Sequence, residues 1–187
     1  MNPRPAALLN ELFLFAMMLV IAGILTFAMI LQYRDGEVPC PLCLLQRVAM
    51  FGVCIGIILH FRGGYSARND GISMLFALFL LIVSARQTLL DIAPRPGHSY
   101  IGSTIFDIHM PVWSVIIAVA ILLAFAIKML VLGGGGLRDG EKPQLFSSAT
   151  KLLSAYVIAI CAMNFVSVIL QCGLDACHTT GYKFSIL

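Results

Sequence analysis

Twenty-one consecutive residues, Leu12 to Gln32, carry no charge. A helix needs about 20 apolar residues to cross the hydrocarbon of a bilayer. In lipid, every backbone N–H and C=O must find its partner within the segment, and a helix does this by itself. The run therefore predicts a membrane-crossing helix. A secretory signal peptide is the rival reading, but its apolar core would be only about 7–15 residues with a small-residue cleavage site behind it. This run is longer and ends in Leu31-Gln32-Tyr33-Arg34, so it is read as an uncleaved span.

The rest of the chain repeats the pattern. It is 60% hydrophobic and 11% charged, against about 25% charged in a soluble domain. Spans are expected at about 12–32, 44–61, 72–93, 112–132 and 152–170. The breaks fall at Gly63-Gly64, at Pro94, Pro96 and Gly97, and at Gly133 to Gly136. Trp113 stands at the entrance of the fourth span, where an aromatic anchor belongs. The fold class is all-α, an integral membrane antiparallel helix bundle, with residues 1–187 as one membrane domain. The net charge of +3 and the lack of a basic cluster exclude nucleic acid as a partner.

Five spans put the loops after spans one and three and the tail 171–187 on one side. The head and the loops near 62–71 and 133–151 lie on the other. The second side holds Arg4, Arg62, Arg68, Lys128, Arg138, Lys142 and Lys151, and the first holds Arg34, Arg47, Arg95 and Lys183, seven against four. The positive-inside rule then places the N-terminus in the cytoplasm and the opposite loops outside. Outside is also where disulfides form and persist.

Six cysteines are present, and four of them fall in two close pairs. The first pair lies in P-C-P-L-C-L-L-Q-R, Pro39 to Arg47, where a helix begins at the membrane surface. A helix N-terminus favours negative charge, so a thiolate there is stabilised. Arg47 is four residues past Cys43 and shares its helical face. Cys40 and Cys43 are accordingly candidates for a redox-active pair. Zinc binding is the alternative, and a closed site would draw further ligands from Cys172, Cys177, His98, His109 or His178. A static disulfide is the third reading. A c-type haem is excluded because Leu44, not His, follows Cys43.

The second pair, Cys172 and Cys177, follows the fifth span by two residues, near the depth of the first pair. Gly173 lets the chain turn there. A disulfide on a polar tail beside a reactive pair permits thiol–disulfide exchange; a structural clip is the plainer reading. Cys54 and Cys161 sit singly in apolar runs and read as small hydrophobes. Arg47 and Arg86 stand near membrane depth, where charge is costly and functional by default, with snorkelling as the alternative for Arg86. Gln46, Gln87 and Asp91 are polar neighbours that bond either a ligand or one another.

The stretch C-P-L-C-L-L-Q-R at the start of a second span resembles the disulfide bond formation protein B family, bacterial membrane enzymes that make disulfides. S-A-R-Q-T-L-L near the end of the third span and P-G-H-S-Y-I-G-S-T-I-F-D-I-H-M-P-V-W before the fourth belong to the same likeness. It is read from the first span through the fourth. The resemblance implies a four-helix core plus a fifth transmembrane helix, in a bacterial inner membrane, with both cysteine pairs periplasmic. It implies that Cys40 and Cys43 pass electrons to a membrane quinone, ubiquinone or menaquinone, and that Arg47 helps hold it. The expected partner is a periplasmic thioredoxin-like dithiol oxidase of the DsbA type.

The sequence departs from that family in two places. Pro94 to Pro111 contains no cysteine, where well-known members carry their second pair. Cys172 and Cys177 match by role and side, in what looks like a five-span branch. A histidine often found near the end of the third span is also absent, and Asp91 stands in that region. The reading is a protein-dithiol:quinone oxidoreductase. A metal-handling membrane protein using the outer cysteines is the alternative, and a structural subunit with two static disulfides is a third.

Overall fold

The computed structural model describes residues 3–34, 40–93, 104–132 and 147–172. These form five helices: α1 (Pro3–Arg34), α2 (Pro41–Gly63), α3 (Ala67–Ile92), α4 (Met110–Leu132) and α5 (Ser147–Cys172). All five are long and apolar enough to cross a membrane, and the chain is a multi-pass membrane protein. Each helix begins before the apolar run that marks it. α1 begins early enough to include Asn10 and Glu11, both buried, so packing rather than lipid shelters its polar first turns.

One short hairpin interrupts the helices. β1 (Thr104–Ile105) pairs antiparallel with β2 (Ile108–His109), placing Thr104 opposite His109. Phe106 and Asp107 form its two-residue turn with φ of 52° and 59°. Positive φ at both central residues suits the right-handed twist of a hairpin. The hairpin delivers the chain directly into α4.

In lipid no hydrophobic force draws helices together, so close packing and polar contacts decide which ones touch. Gly52 and Gly56 supply the close approach between α2 and α3. A Cβ at Gly56 would lie 2.7 Å from the Asn69 carbonyl oxygen and 2.9 Å from the Ser73 backbone nitrogen. Only a hydrogen fits there. A Cβ at Gly52 would run into the Phe76 ring. Ser73 Oγ also donates to the Val53 carbonyl at 3.0 Å. This spacing of two small residues four apart is readable in sequence, and it sets the register between α2 and α3.

At the end of the bundle away from Cys40, Lys128 of α4 reaches both carboxylate oxygens of Asp70 in α3 at 2.7 Å. Both side chains are almost fully buried. The aromatic rings of Tyr65 and Phe125 flank the ammonium group. The sequence reading counted Lys128 with the cations close to that membrane face and left Asp70 in the turn near 62–71; Asp70 instead lies inside α3, and the two side chains are buried together. A lone charge at this depth would be too costly, so each is retained by the other.

α5 packs on α1 and runs parallel to it. Thr26 pairs with Tyr156 at 2.8 Å, and nearer the C-terminal end of both helices Tyr33 pairs with Ser167. The C-terminal end of α5 therefore lies at the same end of the bundle as Arg34 and Cys40.

Candidate functional site

The local sequence of the cysteine motif builds the site. Cys40 is the N-cap of α2, with extended backbone at φ −66° and ψ 157°. Its Sγ accepts the backbone N–H of Cys43 at 3.1 Å. Its carbonyl accepts the N–H of Leu44 at 3.0 Å. Pro41 opens the helix, where its missing N–H would have no partner in any case. Both sulfurs thus sit on the first turn of a membrane helix, where unpaired N–H groups face outward and favour negative charge. Cys40 and Cys43 are free thiols, each partly buried.

α3 supplies the groups that meet them. Gln87 Nε2 lies 3.4 Å from Cys40 Sγ and 3.4 Å from Cys43 Sγ, donating to both. Gln87 Oε1 accepts from Gln46 Nε2 at 2.8 Å. Gln46 Oε1 accepts from Ser114 Oγ of α4 at 3.0 Å. So Gln46 and Gln87 do bond one another, and the chain of bonds ends on the sulfurs. The thiol of Cys40 is pushed above its ordinary range, first by its hydrogen bond with the Cys43 side chain, then by burial and by the charge on Cys43. Backbone N–H groups of Cys43 and Leu42 pull the other way without reversing the direction. The pair accordingly holds a single negative charge before it would hold two.

Arg47 leaves α2 on the other flank. Its Nη1 donates to Gln32 Oε1 at 2.6 Å and to Asn164 Oδ1 at 3.0 Å, and its Nη2 donates to the Ala28 carbonyl at 3.1 Å. Met29 Sδ lies 3.5 Å from Nη1. Gln32 and Asn164 are both buried. The two polar residues that follow Cys43 therefore face opposite ways: Gln46 toward α3 and α4, Arg47 toward α1 and α5. Sequence reasoning put Arg47 beside Cys43 but did not find Gln32, Asn164 or Ser114. Each was readable only as a polar residue within an apolar run, the usual sign of an interhelical bond.

The remaining candidates fall elsewhere. Arg86 is exposed on the outer flank of α3, among Ile82, Ala85, Leu89 and Leu90. Asp91 lies one turn beyond Gln87, its Oδ2 4.0 Å from His109 Nδ1. Cys54 is buried in the core, and Cys161 is exposed on α5. Cys172 is the last residue of α5; its side chain, and all of Cys177, His98 and His178, lie outside the described residues. Among the described residues no three His, Cys, Asp or Glu side chains gather as a metal site would need.

Comparison with known proteins points to the same stretch. The family model for the disulfide bond formation protein DsbB matches residues 10–99. That span contains Cys40, Cys43, Gln46, Arg47 and Gln87, and it ends short of α4, whereas the likeness read from the sequence reached through the fourth span. Relatives named disulfide bond formation protein B include one from Azoarcus sp. (strain BH72), 35% identical over 79 residues, covering 39% of this chain and 46% of that protein. One from Chromobacterium violaceum is 34% identical over 106 residues, covering 51% and 61%. One from Nitrosomonas europaea is 38% identical over 76 residues, covering 38% and 46%. The chain spans about half the length of the curated relatives it matches. No solved structure matches.

Proposed function

We propose, from a chain that is DsbB-like over residues 10–99, that this protein is a protein-dithiol:quinone oxidoreductase of the bacterial inner membrane. It reoxidises a periplasmic thioredoxin-like dithiol protein, and its N-terminus lies in the cytoplasm. The observation that carries this reading is the pair of free sulfurs on the first turn of α2, with one carboxamide donating to both. A turn that stabilises a thiolate and a neighbour that hydrogen-bonds it suit a cysteine pair that cycles.

The route has two exchanges. The reduced partner attacks the Cys172–Cys177 disulfide through a mixed disulfide, leaving with its own disulfide closed and the tail pair as two thiols. The tail dithiol then reduces the Cys40–Cys43 disulfide in the same manner. Closure of Cys40–Cys43 releases two electrons and two protons, for which a bound quinone supplies the acceptor. The parallel packing of α5 on α1 supports the second exchange. Asn164 sits beside Arg47, and Cys172 follows eight residues later, about 12 Å along a helix axis toward the Cys40 end.

The residues present fit a quinone. Arg47, one turn past Cys43 on α2, forms a polar cluster with the buried carboxamides of Gln32 and Asn164 inside an apolar bundle. Guanidinium N–H donors suit a carbonyl oxygen, and the surrounding helices suit an apolar ring and tail. Arg47 would hold the quinone, and Cys43, nearest to it in the motif, would be the sulfur that carries the charge.

Trapping the exchange tests the route. With Cys177→Ser, the remaining Cys172 thiol should be caught in a mixed disulfide with Cys40 or Cys43. Partner oxidation at the wild-type rate by the Cys172→Ser/Cys177→Ser double variant would remove the tail from the mechanism.

A further inference from the structure

A carboxamide has a donor end and an acceptor end, so which end meets the sulfurs is a chemical choice. A thiolate only accepts hydrogen bonds. It needs the NH2 end of Gln87, and the carbonyl end would repel it. Gln87 alone can turn either way. Its carbonyl, however, is held by the NH2 of Gln46 at 2.8 Å, and the carbonyl of Gln46 is held by the hydroxyl of Ser114 at 3.0 Å. Gln46 and Gln87 are both buried, and water does not compete there. In such surroundings aligned hydrogen bonds strengthen one another.

We propose that Ser114 and Gln46 are positioning residues that fix the polarity of Gln87 and thereby set the reduction potential of the Cys40–Cys43 pair. The inference rests on the proposal that this pair cycles between dithiol and disulfide. The direction follows from charge. A hydrogen bond to a thiolate is charge-assisted and stronger than one to a neutral disulfide sulfur. The relay therefore stabilises the reduced pair and makes the disulfide more oxidising. Three helices contribute one member each after the cysteines of α2: α2 gives Gln46, α3 gives Gln87 and α4 gives Ser114. The potential is thus tied to the packing of the core and not to the motif alone. Ser114 reaches the sulfurs only through two intervening side chains, which is what makes it diagnostic.

The test uses the full chain in detergent with Cys54, Cys161, Cys172 and Cys177 replaced by Ala, so that one pair titrates. The pair is equilibrated with reduced and oxidised glutathione, two glutathione thiols giving one glutathione disulfide for each pair reduced. The dithiol fraction is read by alkylation and mass. Thiolate absorbance is followed against pH on the same samples. Gln46→Met should shift the dithiol–disulfide equilibrium roughly tenfold toward the disulfide, about 30 mV more negative, and move thiolate formation to higher pH. Ser114→Ala should shift both in the same direction by a smaller factor, and Ser114→Thr, which keeps the hydroxyl, should restore them. Ser114→Ala removes a single oxygen and is the smallest change of the set. Wild-type potential and wild-type thiolate titration in both Gln46→Met and Ser114→Ala would overturn the relay. A wild-type pair that never exchanges with glutathione would instead overturn the redox reading itself, and the relay with it.

Discussion

Asn164 Oδ1 accepts a hydrogen bond from Arg47 Nη1 at 3.0 Å, across 117 residues of sequence. The fifth helix thus completes the polar shell around the arginine of the cysteine motif. Asn164→Leu should leave that guanidinium N–H without its buried acceptor, a loss of about 1–3 kcal/mol. The expected result is a several-fold rise in KM for a soluble quinone, with less change in kcat. Asn164→Gln should recover part of it. Steady-state quinone consumption measures both.

The Asp70–Lys128 pair carries stability and lies away from the cysteines. Removing one partner strands the other charge in the bundle and should cost about 3–5 kcal/mol. Asp70→Asn and Lys128→Met should each lower the thermal midpoint in detergent sharply. The double variant Asp70→Leu/Lys128→Met should recover much of the loss, because no charge is left uncompensated. Scanning fluorimetry on the three variants reads this directly.

Much of the architecture could be read from the chain, and for a physical reason. Uncharged runs of membrane length have one stable form in lipid, so Leu12 to Gln32 announces a helix regardless of its neighbours. Pro41 likewise announces the start of α2, and with it the position of Cys40 on the cap. Interhelical register was not legible. Gln87 meets Cys43 from 44 residues away, and only the packing of α2 on α3 decides that it does. Lys128 shows the limit most clearly. Charge counting recorded only that it lies close to one membrane face, while its partner Asp70 stands 58 residues earlier, in the stretch read as a turn.

That register depends on Gly56. Gly56→Ala places a Cβ against the Asn69 carbonyl and the Ser73 nitrogen, backbone atoms that cannot swing aside. It should cost about 1–3 kcal/mol through overpacking. Because Gln87 lies on the same helix as Ser73, the pair's exchange with glutathione should slow or shift as well. A thermal scan beside the glutathione titration separates the two effects.

The direction of the Cys40 shift gives a pH prediction. Its thiol is raised, first by the hydrogen bond with the Cys43 side chain, so it remains protonated through neutral pH. In the reduced protein, iodoacetamide at pH 7 should label Cys43 and spare Cys40. Labelling of Cys40 should keep rising past the pH at which an ordinary thiol is fully ionised, about 9–10. Peptide mass mapping across pH reports both sites.

The most direct measurement follows the electrons. Purified protein in detergent is given a soluble quinone and a reduced thioredoxin-like dithiol protein, and quinone absorbance is recorded. The expected result is a steady loss of quinone signal that is abolished by Cys40→Ser and by Cys43→Ser. Loss of signal that survives both substitutions, or no loss from the wild-type protein with an exchanging partner present, would contradict the proposed route from the dithiol through Cys40 and Cys43 to the quinone.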